Sequence, residues 1–105
     1  MPNKASSSDD LLAGLVTQAV QLGADELEIE YKDGFEEVCA MKNGMGFGIA
    51  SLDSSSDEAC DLRERLCAIG SKGATISAGG ANFVLKVSTY DSFGEDVYRV
   101  RIKKK

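Results

Sequence analysis

Histidine and tryptophan are absent from this chain of 105 residues, and proline occurs once. Without histidine the chain lacks the commonest general base at neutral pH and the commonest metal ligand. Nucleophile pairs of the Ser-His and Cys-His kinds are thereby excluded. A cysteine or lysine nucleophile with a carboxylate partner remains, and no spacing points to one. Aromatic residues are few, three tyrosines and four phenylalanines, so the core must rest on Leu, Ile, Val and Ala. No run approaches the ~20 apolar residues that a helix needs to cross a bilayer, and no membrane insertion is expected.

Cysteine is scarce as well. Cys39, Cys60 and Cys67 are an odd set without the spacing of a disulfide framework. Cys60 and Cys67 stand seven apart in a helical pattern, which separates their backbones by ~10 Å, too far for a bridge. No C-x-x-C pair occurs, so no metal and no cofactor is expected. All three are read as small buried hydrophobes. Residues 1–10 contain no apolar signal-peptide core, and with reduced thiols this makes the cytoplasm the expected location.

Basic residues are the minority, 12 against 17 acidic, for a formal charge of −5. That balance argues against nucleic acid or an anionic membrane as the main partner, since phosphate binding needs a net basic face. The basic run Lys103-Lys104-Lys105 reads as a solubilising tail after the last strand.

What the chain does have is alternating periodicity. Residues 1–8 are polar and serine-rich and read as a disordered lead-in. Ser7 or Ser8 then caps a helix, with Asp9 and Asp10 at the positive end of its dipole. Leu11, Leu15, Ala19 and Leu22 repeat at helical spacing beside Leu12, Val16 and Val20, and Gly23 supplies the stop. From there the period falls to two: Leu27, Ile29 and Tyr31 alternate with Glu26, Glu28, Glu30 and Lys32. Asp33-Gly34 and Asn43-Gly44 both favour tight hairpin turns, which predicts strands at 26–32, 35–42 and 46–51.

Ser54–Ser56 before Asp57 and Glu58 predict a capped helix lined by Ala59, Leu62, Leu66 and Ile69 and ended by Gly70. Strands at Ala74–Ala78, Asn82–Tyr90 and Asp96–Ile102 follow, separated by Gly79-Gly80 and Ser92-Phe93-Gly94. Phe83, Leu85 and Val87 share one side of the middle strand, as Tyr98, Val100 and Ile102 do in the last. The order α-β-β-β-α-β-β-β predicts an α+β domain over 9–102, a two-layer sandwich with both helices on one face of a mainly antiparallel sheet. Residues 103–105 form the tail. The glycines at 44, 46 and 48 and at 70, 73, 79 and 80 match no phosphate-loop pattern and are read as turn and packing positions.

Lys86, Arg99 and Arg101 fall on the exposed side of the last two strands, Glu28 and Glu30 on that of the first. Cross-strand charge pairing is the favoured reading. The alternative is a basic patch that docks an acidic partner, which requires the three cations to be contiguous and unpaired.

Two stretches carry a resemblance. GADELEIEYKDGFEEVCAMKNG, from Gly23 to Gly44, resembles the opening of the amino-terminal domain that precedes the motor in type II secretion and type IV pilus assembly ATPases. ANFVLKVSTYDSFGEDVYRVRI, from Ala81 to Ile102, is similar to the end of that domain. The family's first-strand histidine falls on Glu28, its two second-strand arginines on Cys39 and Met41, and its arginine before Val-Ser-Thr on Lys86. Arg99 and Arg101 are each one position out of register with its final-strand arginine. In the family such basic residues help to enclose ATP held by the following motor, which this chain lacks. The resemblance therefore implies a stand-alone, degenerate relative without ATPase activity of its own.

The function expected is a non-catalytic protein-interaction domain, adaptor or regulator. Its partner would be a protein, in one version a secretion or pilus motor ATPase and in another a second copy of itself. The alternative is a small-ligand sensor that binds a nucleotide through Lys86, Arg99 or Arg101. An enzyme using Cys39, Cys60 or Cys67 is a third reading.

Overall fold

The change of period at Gly23 is where the first helix gives way to sheet. The structure, a computed structural model, describes the backbone of residues 7–105 and side chains from Leu11 onward. Its elements run α1 (Ser7–Gln21), β1 (Glu26–Lys32), β2 (Phe35–Lys42), β3 (Met45–Asp53), α2 (Asp57–Ile69), β4 (Ala74–Ala78), β5 (Ala81–Ser92) and β6 (Glu95–Lys104). The lead-in expected over 1–8 lies outside the described residues except at Ser7 and Ser8, which open α1. The caps expected from their side chains lie outside them too.

α1 stops where Gly23 takes a φ of 81° and donates its N–H to the Val20 carbonyl at 2.9 Å. Leu12, Leu15, Val16 and Ala19 are its buried stripe, whereas Val20 and Leu22, expected on that stripe, are exposed. Leu22 lies past the last helical turn, so helical spacing no longer places its side chain. α2 starts at Ser56, whose hydroxyl accepts from the Ala59 N–H at 3.1 Å, and ends at Gly70, whose N–H returns to the Leu66 carbonyl. The expected Ala59, Leu62, Leu66 and Ile69 are buried.

Six strands form one antiparallel sheet in the order β3-β2-β1-β6-β5-β4. Asp33-Gly34 and Asn43-Gly44 make their two-residue turns with positive φ at both positions, and Phe93-Gly94 does the same between β5 and β6. β3, β5 and β6 each run longer than their patterns predict. The largest consequence is at the carboxyl end: Lys103 and Lys104 belong to β6, paired with Val84 and Phe83, because β5 starts early enough to offer them backbone. The basic run is a strand end rather than a tail.

Strand alternation gives the sheet two unlike faces. Leu27, Ile29, Val38, Ala40, Leu85 and Val100 point to one, where they join the buried residues of both helices in a single apolar cluster. Phe83, Val87, Tyr98 and Ile102 complete it on the β5–β6 side. α1 lies against α2 and β1 to β4, and α2 against β3 and β5. The opposite, polar face carries the alternate residues of each strand. Among the described residues no helix is long and apolar enough to cross a membrane.

Candidate functional site

The polar face brings together Lys86, Arg99 and Arg101, the three cations of the expected patch. β1 pairs with β6 so that Glu28 faces Arg99 and Glu26 faces Arg101, and β6 pairs with β5 so that Arg101 faces Lys86 and Arg99 faces Ser88. On the other flank β2 sets Cys39 opposite Glu28, Met41 opposite Glu26 and Glu37 opposite Glu30. The face is thus acidic over β1 and β2 and basic over β5 and β6.

Arg99 is consumed by this arrangement. Its Nη2 donates to Glu28 Oε2 at 3.0 Å, and the same oxygen accepts from the Tyr90 hydroxyl at 3.0 Å. The guanidinium carbon sits 4.9 Å from the centre of the Tyr90 ring, a cation–π stack over the same side chain. Hydrogen bonding to Glu28 raises the Arg99 pKa above its ordinary value. Its Nε is buried with no hydrogen-bond partner among the described residues, and Glu26 Oε1 lies 3.9 Å from it. Burial, then the Glu28 contact, raises the pKa of Tyr90. Tyr90, which the sequence pattern did not mark, shares the polar face with Arg99 and Glu28 and faces the buried Val97 across β5–β6.

Lys86 and Arg101 differ. Arg101 is 74% exposed at its side chain and reaches only a 3.8 Å contact with Glu26. Lys86 has no ion pair among the described residues. With Lys103, Val84, Ile102 and Asp25 they line an open depression of about 430 Å³. The three cations of the expected patch are therefore contiguous but not all unpaired: Arg99 is bound to Glu28 and Arg101 forms a long ion pair with Glu26, while Lys103 adds a further charge beside them. Lys103 was legible as a member: it continues the two-residue period of Arg99 and Arg101.

A second ionic site lies on the core face. Glu36 is the one buried charged residue among those described, 4% exposed. Arg63 Nη1 donates to it at 2.8 Å and the Ser54 hydroxyl at 3.0 Å, while Arg63 Nη2 reaches the Ser54 carbonyl at 3.2 Å. This clamp ties β2 to the loop before α2 and to α2 itself. Its signal in the sequence was a glutamate in phase with Val38 and Ala40.

The cysteines are not buried hydrophobes as expected. Cys60 and Cys67 are exposed and Cys39 half-buried. The two helical cysteines lie off the stripe of Ala59, Leu62, Leu66 and Ile69, and with Arg63 and Glu64 they border a shallow depression of about 340 Å³. Cys60 Sγ accepts from Arg63 Nη2 at 3.4 Å, and Cys67 Sγ lies 3.8 Å from the Tyr98 hydroxyl. Burial, followed by Glu28, Glu37 and Glu30, raises the Cys39 pKa. That shift opposes thiolate formation and weakens the case for Cys39 as a nucleophile. Among the described residues no three of His, Cys, Asp and Glu stand together as a metal site.

The chain matches no protein-family model and no curated protein.

Proposed function

We propose that this chain is a non-catalytic protein-interaction domain of the cytoplasm, a two-layer α+β sandwich that docks an acidic partner surface with a basic corner of its polar face. One observation carries the reading: Lys86 and Arg101 stand directly opposite one another across β5–β6. Like charges so placed destabilise a sheet. Lys103, two residues on from Arg101 and bordering the same depression, adds a third positive charge. Glu26, opposite Arg101 on β1, offsets this in part through its 3.8 Å ion pair, and a partner whose carboxylates neutralise the rest accounts for the cluster.

The partner implied by the resemblance is a secretion or pilus motor ATPase. Two features support it. The stretches Gly23–Gly44 and Ala81–Ile102 supply β1, β2, β5 and β6, the four adjacent central strands. Glu28, Cys39, Met41 and Lys86, where the family carries functional side chains, share the polar face.

The test is recovery of complexes by the tagged protein from its native extract. Capture of a motor ATPase by the wild type, lost in Lys86→Glu and Arg101→Glu and weakened by salt, is the expected result. Capture that survives both reversals removes the basic corner from the account.

The depression beside Lys86 favours one second reading, a sensor of small anionic ligands such as nucleotides. Its volume falls in the range of small-molecule sites. A ligand at 100 times its dissociation constant would stabilise the fold by ~2.7 kcal/mol, so a flat thermal-shift screen against nucleotides rejects it.

A further inference from the structure

The two ends of the β5–β6 hairpin carry like-charge pairs of opposite sign. At the turn end Asp91 stands directly opposite Asp96, with Glu95 beside them, and all three are exposed. At the other end Lys86 stands opposite Arg101, an arrangement that Glu26 offsets only in part. Like charges placed across a strand pair weaken it, so each end costs the hairpin stability. The turn end also carries Phe93, wholly exposed and held at a φ of 52°, where a bulky side chain is unfavourable.

The turn end stands clear of the sheet. β1 accompanies β6 from Arg101 to Val97 and β4 accompanies β5 from Ala81 to Leu85, so residues 91–96 project beyond both neighbours. Asp91, Glu95 and Asp96 have no ion pair among the described residues. The other end holds the depression of about 430 Å³, where Val84 and Ile102 supply apolar wall and Lys86, Arg101 and Lys103 outweigh the charge of Asp25. An aromatic ring flanked by carboxylates is the complement of an apolar hollow rimmed by cations, and aromatic residues seated in such hollows are the usual anchors of protein interfaces.

We propose that the acidic surface received by the basic corner is the β5–β6 turn of a second copy of this chain, with Phe93 entering the depression and Asp91, Glu95 and Asp96 facing Lys86, Arg101 and Lys103. This rests on the docking role given to the corner and names its occupant. Complementarity selects a second copy. A partner that was acidic alone would leave Phe93, its strained backbone and the Asp91–Asp96 pair unaccounted for, whereas a second copy relieves both ends of the hairpin at once. β6 has ten residues, and at ~3.4 Å per residue its two ends lie ~30 Å apart, so the turn does not reach the depression of its own chain. Two copies set antiparallel about a two-fold axis across the hairpin make the contact twice, and the assembly closes as a dimer.

Sedimentation equilibrium of the full chain over a range of concentrations tests this, with circular dichroism to check the fold of each variant. A monomer–dimer equilibrium is expected. Asp91→Lys with Asp96→Lys reverses the turn, Lys86→Glu with Arg101→Glu reverses the corner, and each double variant alone is expected to dimerise at least tenfold more weakly. Mixed in equal amounts they are expected to form a heterodimer of wild-type strength, because reversed turn meets reversed corner in one contact and native turn meets native corner in the other. Phe93→Asn, which suits the backbone at that φ, is expected to weaken the dimer at least tenfold with the fold intact, and it decides the matter if a charge variant fails to fold. A monomer at every concentration overturns the proposal. So does a mixture that stays monomeric, a dimer indifferent to Phe93→Asn, or growth into larger species. In those cases, capture of another protein that is still lost on reversing the corner removes only the second copy as occupant, whereas capture indifferent to that reversal removes the corner as a docking site.

Discussion

Arg99 donates to Glu28 at 3.0 Å across the β1–β6 pair, from a position 71 residues further along the chain. That bond takes Arg99 out of the basic corner. Arg99→Ala is expected to cost about 1 kcal/mol, summing a partly exposed ion pair and a stack on Tyr90. Urea denaturation measures it, and a double-mutant cycle with Tyr90→Phe should show coupling. An unchanged midpoint would mean that solvent screens the contact fully.

The Glu36–Arg63 clamp makes a stronger prediction. Removing Arg63 strands a carboxylate that is 4% exposed with only the Ser54 hydroxyl beside it. Arg63→Ala is expected to destabilise by about 3 kcal/mol. Adding Glu36→Leu should recover much of the loss, since an apolar residue suits that position between β2 and α2. If the double variant is as unstable as the single one, the stranded charge is not the cause.

Tyr98 predicts a pH dependence. Burial first, then its contact with Cys67, pushes its pKa up to about 12, against 10 for the free side chain. The folded state thus holds the proton more tightly than the unfolded state. Its contribution is fully present below pH 10 and is lost as pH rises from 10 to about 12. The melting temperature should fall across that window in the wild type and fall less in Tyr98→Phe. Equal alkaline slopes for the two proteins would assign the loss to other groups.

Phe93 occupies a turn position with φ of 52° and is wholly exposed. A left-handed backbone costs an ordinary side chain ~1–2 kcal/mol, whereas asparagine tolerates it. Phe93→Asn is therefore expected to stabilise the fold by about 1 kcal/mol, read as a higher denaturation midpoint. A loss of stability would show that Phe93 makes a contact its exposure conceals.

Much of the architecture was legible residue by residue. β1, β2 and β4 match their expected bounds, because Asp33-Gly34, Asn43-Gly44 and Gly79-Gly80 punctuate the chain with residues that accept positive φ. The helix stripes were readable at most of the repeated apolar positions, and failed at Val20, inside α1, and at Leu22, where the helix had ended. The cysteines were misread because a residue type common in cores is not thereby in one: Cys60 and Cys67 lie off the helix stripe. Glu36 went unremarked because one charged residue in a buried phase looks like an interruption until Arg63 is seen beside it.

The sequence by itself determined the local structure of this protein, since hydrophobic period, turn chemistry and caps act between residues a few positions apart. It also determined which side chains share a face of each strand. The order of strands, the capture of Arg99 by Glu28 and Tyr90, the exposure of Lys86 and Arg101, and the place of β3 at an edge were decided only by tertiary structure. Each depends on which strand lies beside which, and β1 meets β6 through the burial of the whole core rather than through any short-range signal in either strand.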